Sequence, residues 1–351
     1  PKLCWERSKV INRVYQLLRP YFFSVKYEDV STDSTKPVVV RPNYMALCHA
    51  DQRYYQGKRA AKVLKQKLPM ALIHECCGIV VRDETGTYQV GDKVVMIPNQ
   101  PPQGFDHSGE FYENYVEGTH FLSSGYDGFM QEFVHLPLDR VVGYQSIPDV
   151  VAAMTEFVSV AAHGARRFDS IALSKRDRIV VWGSGSLAFV QATVLRAKFP
   201  DATIIVVGKN HDKLRLFSFV DEVYELQDIP EDFSFDHAFE CVGGDASQEA
   251  IRDIIKYIKP QGTLILMGVS ETEVPVNTRD VLEKGLTLVG SSRSGREDFQ
   301  LAVALMENPQ VSSRLRMIIH QVGDLEDVKD IYQFFEEDRK TPFKTVAKWN
   351  I

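Results

Sequence analysis

Four side chains of types that bind zinc occur at three places in the first half of the chain. Cys48 lies in RPNYMALCHADQRYY, His74 and Glu75 are adjacent in LPMALIHECCGIV, and Glu156 lies in AAMTEFVSVAAHGARRF. A thiolate, an imidazole and a carboxylate together suit a zinc ion that keeps one position open for water or substrate. Such an ion polarises a carbonyl or alkoxide oxygen as a Lewis acid. Each residue alone is unremarkable, but the set predicts a catalytic metal site.

A glycine turn between a strand and a helix is the second feature that could do chemistry. The apolar run Ile179–Trp182 leads into it, and a helical stretch and a second apolar run, Ile204–Val207, follow. In this βαβ context the turn predicts a dinucleotide site. Gly183 permits the tight turn, and Gly185 lets the backbone approach a pyrophosphate at the helix N-terminus. The motif consists of Gly183, Gly185, Ser186, Leu187 and, in place of a third glycine, Ala188.

The residues after the second apolar run indicate which dinucleotide binds. NAD-binding folds usually carry an Asp or Glu there, which accepts hydrogen bonds from the ribose hydroxyls. This chain has Gly208 and Lys209 instead, with Lys213 close behind. A carboxylate would repel a 2′-phosphate, whereas a lysine beside a small residue admits it. The loop therefore predicts NADP(H).

The elements that must position these residues follow from the pattern. The first 150 residues contain short β-type runs separated by Pro, Gly and Asp, which predict a barrel-like β domain. From Val151 onward, apolar strands alternate with helices and predict a doubly wound parallel sheet. The expected strands are Ile179–Trp182, Ile204–Val207, Glu222–Leu226, His237–Cys241, Thr263–Gly268 and Leu286–Gly290.

From about Val10 to its C-terminus, the chain resembles the zinc-dependent medium-chain dehydrogenase/reductase family. The motifs that carry the resemblance are Cys-x-x-Asp at Cys48 and Asp51, the His74-Glu75 pair, Gly-Asp-Lys-Val at Gly91 and the glycine turn. The resemblance implies an α/β fold with a GroES-like β-rich catalytic domain (residues 1–157 and 295–351) and a Rossmann NADP-binding domain (158–294). It also implies that Asp51 orients the imidazole of a zinc ligand without itself binding the ion.

Within that family the chain is most similar to two groups that act on sugars. CHADQRYYQGKR, which begins at Cys48, and LPMALIHE after it resemble polyol (sorbitol-type) dehydrogenases, in which a glutamate at the position of Glu156 is the third protein ligand of zinc. SFDHAFECVGG, VNTRDVLEKGLTLVGSSRSGREDF and FKTVAKW resemble ribulose-5-phosphate reductases. The second resemblance implies NADPH-dependent, zinc-assisted reduction of D-ribulose 5-phosphate to D-ribitol 5-phosphate, which supplies CDP-ribitol synthesis for teichoic acid or capsule.

Two departures from the family pattern change the expected chemistry. Ala50 replaces the Ser or Thr that relays a proton in many relatives, so His49, Glu75 or a water chain must serve. The segment from Pro98 to Gly125, which corresponds to the lobe that binds a structural zinc, contains no cysteine. We therefore expect one zinc, at Cys48, His74 and Glu156. Glu75 is either a transient ligand or a neighbour that does not touch the ion.

A phosphorylated substrate needs cations, and two segments supply them. Arg suits a phosphate through its bidentate fork, and Lys acts as a point charge. The loop after Cys48 carries Lys58 and Arg59. Arg293, in SSRSGR, occupies the position of an arginine that lines the substrate site in polyol dehydrogenases. We expect Arg293 to contact substrate or cofactor, with His49, Lys58 and Arg59 as further substrate contacts.

The remaining properties limit the class of protein. A net charge of −6 makes a nucleic-acid or anionic-membrane surface improbable. No apolar run approaches the roughly 20 residues that span a bilayer. Five cysteines, an odd number, favour the reducing cytoplasm over a disulfide framework. The family resemblance implies a homo-oligomer, with a dimer expected.

The first nine residues allow two interpretations. Residues 1–9 are either a tag remnant or the tail of a longer polypeptide. In related bacteria the reductase is sometimes fused behind a ribitol-5-phosphate cytidylyltransferase, to which we expect a functional link.

Three other functions compete with the reductase hypothesis. A polyol dehydrogenase acting on an unphosphorylated sugar is the nearest. A zinc-free quinone reductase or a non-enzymatic protein of the same fold would leave Cys48, His74 and Glu156 unexplained.

Overall fold

The computed structural model describes residues 11–30, 33–108 and 111–351. The interpretation of residues 1–9 therefore lies outside the described residues. The chain forms two compact units. One comprises the described residues up to Glu156 with Ser294–Ser312 and Ile319–Ile351, and the other comprises Phe157–Arg293 with Ser313–Ile318. The domain boundaries at 157/158 and 294/295 stay a prediction.

The strands and helices alternate along the chain in two patterns, one for each unit. The strands are β1 (Ile11–Arg19), β2 (Phe22–Asp29), β3 (Val38–Ala46), β4 (Met70–Ala71), β5 (Glu75–Asp83), β6 (Lys93–Met96), β7 (Asn99–Gln100), β8 (His120–Phe121), β9 (Val134–Leu136), β10 (Val141–Gly143), β11 (Arg178–Trp182), β12 (Thr203–Gly208), β13 (Glu222–Glu225), β14 (Phe235–Glu240), β15 (Ile258–Leu266), β16 (Thr287–Gly290), β17 (Ile319–Gln321) and β18 (Lys344–Lys348). The helices are α1 (His49–Tyr55), α2 (Ala61–Lys67), α3 (Asp149–Ala152), α4 (Thr155–Ile171), α5 (Ser186–Lys198), α6 (His211–Leu214), α7 (Ser247–Tyr257), α8 (Thr278–Lys284), α9 (Arg296–Met306), α10 (Pro309–Arg316) and α11 (Val328–Asp338).

The first unit is built on β-sheets, as its short alternating runs predict. Its largest sheet has the order β10-β6-β5-β3-β18-β17, with β9 also paired to β3. Smaller sheets have the orders β2-β1-β4 and β7-β8. Because β18 pairs with β3, a C-terminal strand completes the sheet that the N-terminal segment begins. The core beneath these sheets is apolar and includes Val40, Met45, Phe129 and Phe335.

Strand pairing in this unit brings the two main zinc-ligand segments together. β3 ends at Ala46, which lies opposite Glu75, the first residue of the antiparallel neighbour β5. The chain leaves β3 and turns into α1 at Cys48, while His74 immediately precedes β5. The register therefore places Cys48 beside the His74-Glu75 pair, although His74 lies 26 positions after Cys48 along the chain.

The second unit contains the predicted parallel sheet. Six strands, all parallel, are ordered β13-β12-β11-β14-β15-β16. This is the strand order of a doubly wound dinucleotide-binding fold, in which the order reverses between the two central strands. β11 and β12 are almost wholly buried, which explains their continuous apolar runs.

The bounds of two strands in the parallel sheet differ from those predicted by more than one residue. β15 begins at Ile258, five residues before the predicted start, because Phe235 of β14 already pairs with Ile258. β14 likewise begins at Phe235 rather than His237. The polar residues Asp236 and Lys259 hide these starts in the sequence, but they form an ion pair that joins the two strands. Within the described ranges, no helix is both long and apolar enough to cross a membrane.

Candidate metal and cofactor sites

Cys48, His74 and Glu75 converge in the β-rich unit. Among the described residues, these three form a group whose potential ligand atoms all lie within 4.8 Å of one another. His74 and Glu75 are buried, and Cys48 is partly exposed. Glu156, a buried residue in the first turn of α4, stands outside this trio. Its role as third ligand therefore stays a prediction, whereas Glu75 lies closer to the other two than the sequence indicates.

A carboxylate fixes the backbone around the two ligands. The buried Asp51 carboxylate accepts hydrogen bonds from the backbone N–H of Cys48 at 3.2 Å and of Ile73 at 3.0 Å. Its Oδ1 also lies 3.6 Å from His74 Nδ1. Asp51 thus holds the N-terminus of α1 and the residue before His74 at the same time. This geometry agrees with the orienting role predicted for it.

The His74 ring has a second partner that the sequence did not indicate. Ser123 Oγ lies 2.8 Å from His74 Nδ1, closer than the Asp51 carboxylate. Ser123 is buried and has a φ of 65°, a left-handed conformation that is uncommon outside glycine. Partners at Nδ1 fix the tautomer and leave Nε2 to bind a cation. Ser123 lies 49 residues after His74, and no local sequence pattern indicates that its hydroxyl reaches the ring.

The Glu75 carboxylate is paired with a buried lysine that sequence reasoning also missed. Lys344 Nζ contacts Glu75 Oε1 and donates a hydrogen bond to the Leu47 carbonyl at 2.8 Å. Burial raises the pKa of Glu75 to about 7; the Lys344 ammonium opposes this rise, and the Glu156 carboxylate adds to it. Burial lowers the pKa of Lys344, but Glu75, Cys48 and Glu156 together outweigh that effect and keep the pKa above its ordinary value. The sequence gives little signal for this lysine, because β18 reads Lys-Thr-Val-Ala-Lys and only the structure shows that its first residue, Lys344, is buried.

The donor set fits a zinc ion. Glu75 Oε2 is buried and has no hydrogen-bond partner among the described residues. Burial opposes a positive charge on His74, yet the Asp51 carboxylate and the Cys48 thiol raise its pKa well above the ordinary value. The groups around His74 therefore favour a positive charge in this pocket, even though the imidazole is buried. A thiol, an imidazole and a carboxylate oxygen that point to one place are ligands that zinc accepts.

The predicted substrate residues in the first unit form a basic region next to Cys48. His49, which follows Cys48, is exposed at its surface. Partial burial and the charges of Arg53, Lys58 and Arg59 lower the pKa of His49. Lys58 is exposed, and the Arg59 guanidinium lies 5.0 Å from the centroid of the Tyr54 ring. The positive potential at His49 suits an anionic group, and substrate contact by these residues stays a prediction.

Arg293 lies at the end of the second unit, three residues after β16. Its side chain is exposed, and its φ of 59° is in the left-handed region. Such a conformation in a non-glycine residue is often found at functional sites. β16 itself is only partly buried, so Arg293 follows an open part of the sheet. The contact of Arg293 with substrate or cofactor stays a prediction.

The glycine turn of the second unit has the geometry that a dinucleotide site needs. Gly183 has a φ of 137°, and a Cβ there would lie 3.0 Å from the Cys241 carbonyl oxygen. Gly185 is the N-cap of α5, and a Cβ on it would meet open space within 4 Å. Ser186 and Leu187 are half-buried in the first turn of that helix. The turn thus presents backbone N–H groups with room for a phosphate.

The end of β12 is packed against the glycine turn. A Cβ on Gly208 would lie 2.7 Å from the Cβ of Ser184, so a larger residue would push the two loops apart. Lys209 follows and is exposed, and Lys213 is half-buried in α6. This arrangement places Lys209, not a carboxylate, directly after the strand, with Asp212 and Lys213 farther on in α6. It agrees with the loop predicted to admit a 2′-phosphate.

In the segment expected to lack a structural zinc, a buried ion pair joins distant parts of the first unit. Arg140 is 1% exposed and makes two hydrogen bonds, of 2.8 and 3.1 Å, to the carboxylate of Glu113. The same guanidinium donates to the Asn99 carbonyl at 3.0 Å. Bidentate pairs of this kind are specific in geometry as well as strong. They hold the described part of this lobe in place through side chains.

Comparison with known proteins identifies the family. Residues 34–149 match the alcohol dehydrogenase GroES-like domain, and residues 191–308 match the zinc-binding dehydrogenase domain. The chain is 58% identical, over 98% of its length and 99% of the relative's, to a ribulose-5-phosphate reductase of Streptococcus pneumoniae. It belongs to the zinc-binding dehydrogenase family. The predicted membership and the predicted GroES-like and Rossmann folds are thereby confirmed.

Two further comparisons are with proteins of Staphylococcus aureus. Ribulose-5-phosphate reductase 1 is 48% identical over 97% of this chain and 99% of its own length. The crystal structure of TarJ in complex with NADPH is 44% identical, covers 97% of this chain and 100% of that chain, and has a TM-score of 0.84. The family resemblance therefore extends over nearly the whole of both chains.

Proposed function

We propose that this chain is an NADPH-dependent, zinc-assisted reductase that converts D-ribulose 5-phosphate to D-ribitol 5-phosphate. The observation that carries the proposal is the convergence of Cys48, His74 and Glu75 in a chain 58% identical to a ribulose-5-phosphate reductase. The NADPH complex of the TarJ relative and the Gly208-Lys209 loop support the cofactor. In this reaction the C2 ketone, NADPH and a proton give a secondary alcohol and NADP⁺.

The residues of the chain position and neutralise the reacting groups. When bound, zinc supplies a Lewis acid for the carbonyl oxygen, and NADPH supplies the hydride. Cys48 and His74 would hold the ion, together with Glu156 as predicted or with Glu75. Lys344 balances the charge of Glu75, which limits the negative charge collected around the ligands.

The new hydroxyl needs a proton, and Ala50 cannot relay one. His49 adjoins Cys48, is exposed to solvent and has a lowered pKa, so that its neutral imidazole can pass a proton inward from water. We assign the relay to His49.

The substrate phosphate distinguishes this reaction from that of a polyol dehydrogenase. A dianionic phosphate needs cations when it leaves water. The region of Arg53, Lys58 and Arg59 supplies three positive charges whose effect reaches His49. We assign the phosphate to Lys58 and Arg59, with Arg293 as a further contact with substrate or cofactor.

The test is turnover of ribulose 5-phosphate with NADPH, with unphosphorylated ribulose as the control. The proposal expects turnover of the phosphorylated sugar and little of the free one. Equal turnover of both sugars would favour the polyol dehydrogenase alternative instead. No turnover of either by zinc-loaded enzyme would refute the proposal.

Lys209→Ala is expected to raise the Michaelis constant for NADPH by roughly tenfold to a hundredfold, because a hydrogen bond to a charged group is lost. The Michaelis constant for NADH should change little, since NADH carries no 2′-phosphate. Steady-state kinetics with both cofactors measures this. An equal response to both would show that Lys209 does not discriminate between them.

The wider setting is also part of the proposal. Ribitol 5-phosphate produced here would supply a ribitol-5-phosphate cytidylyltransferase, separate or fused N-terminally, for CDP-ribitol used in teichoic acid or capsule. We propose a cytoplasmic location, in keeping with the free thiols of Cys48, Cys76, Cys77 and Cys241. We propose a homodimer, which light scattering of the purified protein would test.

A further inference from the structure

A buried carboxylate joins two loops at one edge of the parallel sheet. Glu240 is the last residue of β14 and is 1% exposed. Its Oε1 accepts hydrogen bonds from the backbone N–H groups of Val242 at 2.7 Å and Gly243 at 3.0 Å. Its Oε2 accepts one from the N–H of Gly268 at 2.9 Å. The side chain therefore ties the loop after β14 to the loop after β15.

The two loops are in direct backbone contact. The N–H of Gly244 donates to the Val269 carbonyl at 2.9 Å. A Cβ on Gly268 would lie 2.3 Å from the Gly243 nitrogen and 2.6 Å from both carboxylate oxygens of Glu240. Only glycine fits there, so the Glu240 carboxylate packs tightly against the backbones of both loops.

The packed loops after β14 and β15 also support the glycine turn that we assign to the cofactor. The N–H of Cys241 donates to the Trp182 carbonyl at 2.9 Å, just before that turn. The Cys241 carbonyl oxygen in turn occupies the space that a Cβ on Gly183 would need. A displacement of the segment after Glu240 would therefore disturb the turn at Gly183.

These loops lie at the edge of the sheet where ligands bind in this fold. In open parallel sheets, ligands bind at the carboxyl ends of the strands where the strand order reverses. Here that point lies between β11 and β14. Val242 is 39% exposed and Val269 is 72% exposed, so each loop presents an apolar side chain at this edge. Apolar surfaces of this kind suit the flat rings of a dinucleotide.

We propose that Glu240 is a positioning residue for NADPH: it fixes the loops after β14 and β15 in the conformation that binds the cofactor, without touching it. The inference rests on the cofactor use proposed above. Hydrogen bonds from backbone N–H groups to a carboxylate are among the stronger ones. Loops ordered before binding spare the cofactor the entropic cost of ordering them.

The test compares Glu240→Gln with a matched variant at the other end of the same strand. Gln retains one carbonyl oxygen but turns an N–H₂ donor toward the N–H donors. Asp236 is 6% exposed and accepts from the Arg178 N–H and from Lys259 Nζ, both at 2.9 Å. Asp236→Asn thus removes a comparable buried carboxylate away from the binding edge. Dissociation constants for NADPH and NADH are measured by cofactor fluorescence, and thermal unfolding is followed in parallel.

We expect Glu240→Gln to raise the dissociation constants for NADPH and for NADH by about tenfold each, because one hydrogen bond to a charged group is lost. Asp236→Asn should lower the melting temperature and leave both dissociation constants unchanged. Glu240→Asp, which keeps both acceptor oxygens on a shorter side chain, should fall between Gln and wild type.

Two results would overturn the role of Glu240: unchanged cofactor affinity in Glu240→Gln, or equal weakening in Asp236→Asn. Wild-type protein that binds neither dinucleotide would instead refute the proposed function, and this proposal with it.

Discussion

Replacing His74 with alanine is expected to remove zinc from the protein and to lower turnover by at least about a hundredfold. Loss of a partner that merely orients a ligand already costs roughly 10- to 100-fold in metal affinity or activity. His74 itself faces Cys48 and Glu75 within 4.8 Å, so its removal leaves a thiol and a carboxylate that Lys344 already neutralises. Cys48→Ser should have the same outcome. Elemental analysis of zinc per chain, with turnover measured in parallel, tests both variants.

A buried histidine elsewhere provides the matched control for this change. His237 is 1% exposed, donates from Nε2 to the Lys175 carbonyl and accepts at Nδ1 from the Thr263 N–H. His237→Ala should destabilise the fold while one zinc per chain remains. An active wild-type protein without zinc would refute the mechanism, and two zinc ions per chain would contradict the single site expected from the sequence.

Lys344→Met is expected to lower the free energy of unfolding by about 3–5 kcal/mol, the usual cost of removing one partner of a buried ion pair. Glu75 is 0% exposed and lies against Lys344 Nζ, so the variant leaves a buried carboxylate without its cation. The Leu47 carbonyl loses a donor as well. Denaturant unfolding in the presence of a chelator measures the effect without a contribution from bound metal.

Two further variants show whether the charge pair is responsible. In Lys344→Met with Glu75→Gln, neither buried charge remains, so most of the lost stability should return. Arg279 and Glu283 form an exposed pair, 84% and 61% exposed, and Arg279→Met should change stability by less than about 1 kcal/mol. A double variant no more stable than Lys344→Met alone would show that packing, not charge, makes Lys344 important.

Patterns of local spacing determined the fold class and most candidate residues. Apolar runs between helices predicted the parallel sheet, because strands buried on both faces, such as β11 and β12, need continuous apolar sequence. The glycine turn was also readable, since a strand, Gly183, Gly185 and a helix follow one another within a short segment. The candidate zinc ligands were predicted from their side-chain chemistry and from the family resemblance.

Only the tertiary structure decided which groups surround the candidate ligands. Lys344 lies 269 residues after Glu75, and Ser123 lies 49 residues after His74. Neither belongs to a local pattern. Lys344 is brought close by the pairing of β18 with β3, and Ser123 lies in a loop where its own backbone is left-handed. Both also cost energy in isolation, since a buried charge and a strained backbone are stable only when the surrounding fold compensates them.

The hydrogen bonds of Glu240 depend on the tertiary structure in the same way. In the sequence, Glu240 is one carboxylate at the end of an apolar strand. Its partner Gly268 is 28 residues away and is brought close by the parallel pairing of β14 with β15. Local sequence thus determined which strands form and which side chains could bind metal or cofactor. The pairing of distant strands determined which buried polar groups meet, because their stability depends on partners that no local spacing encodes.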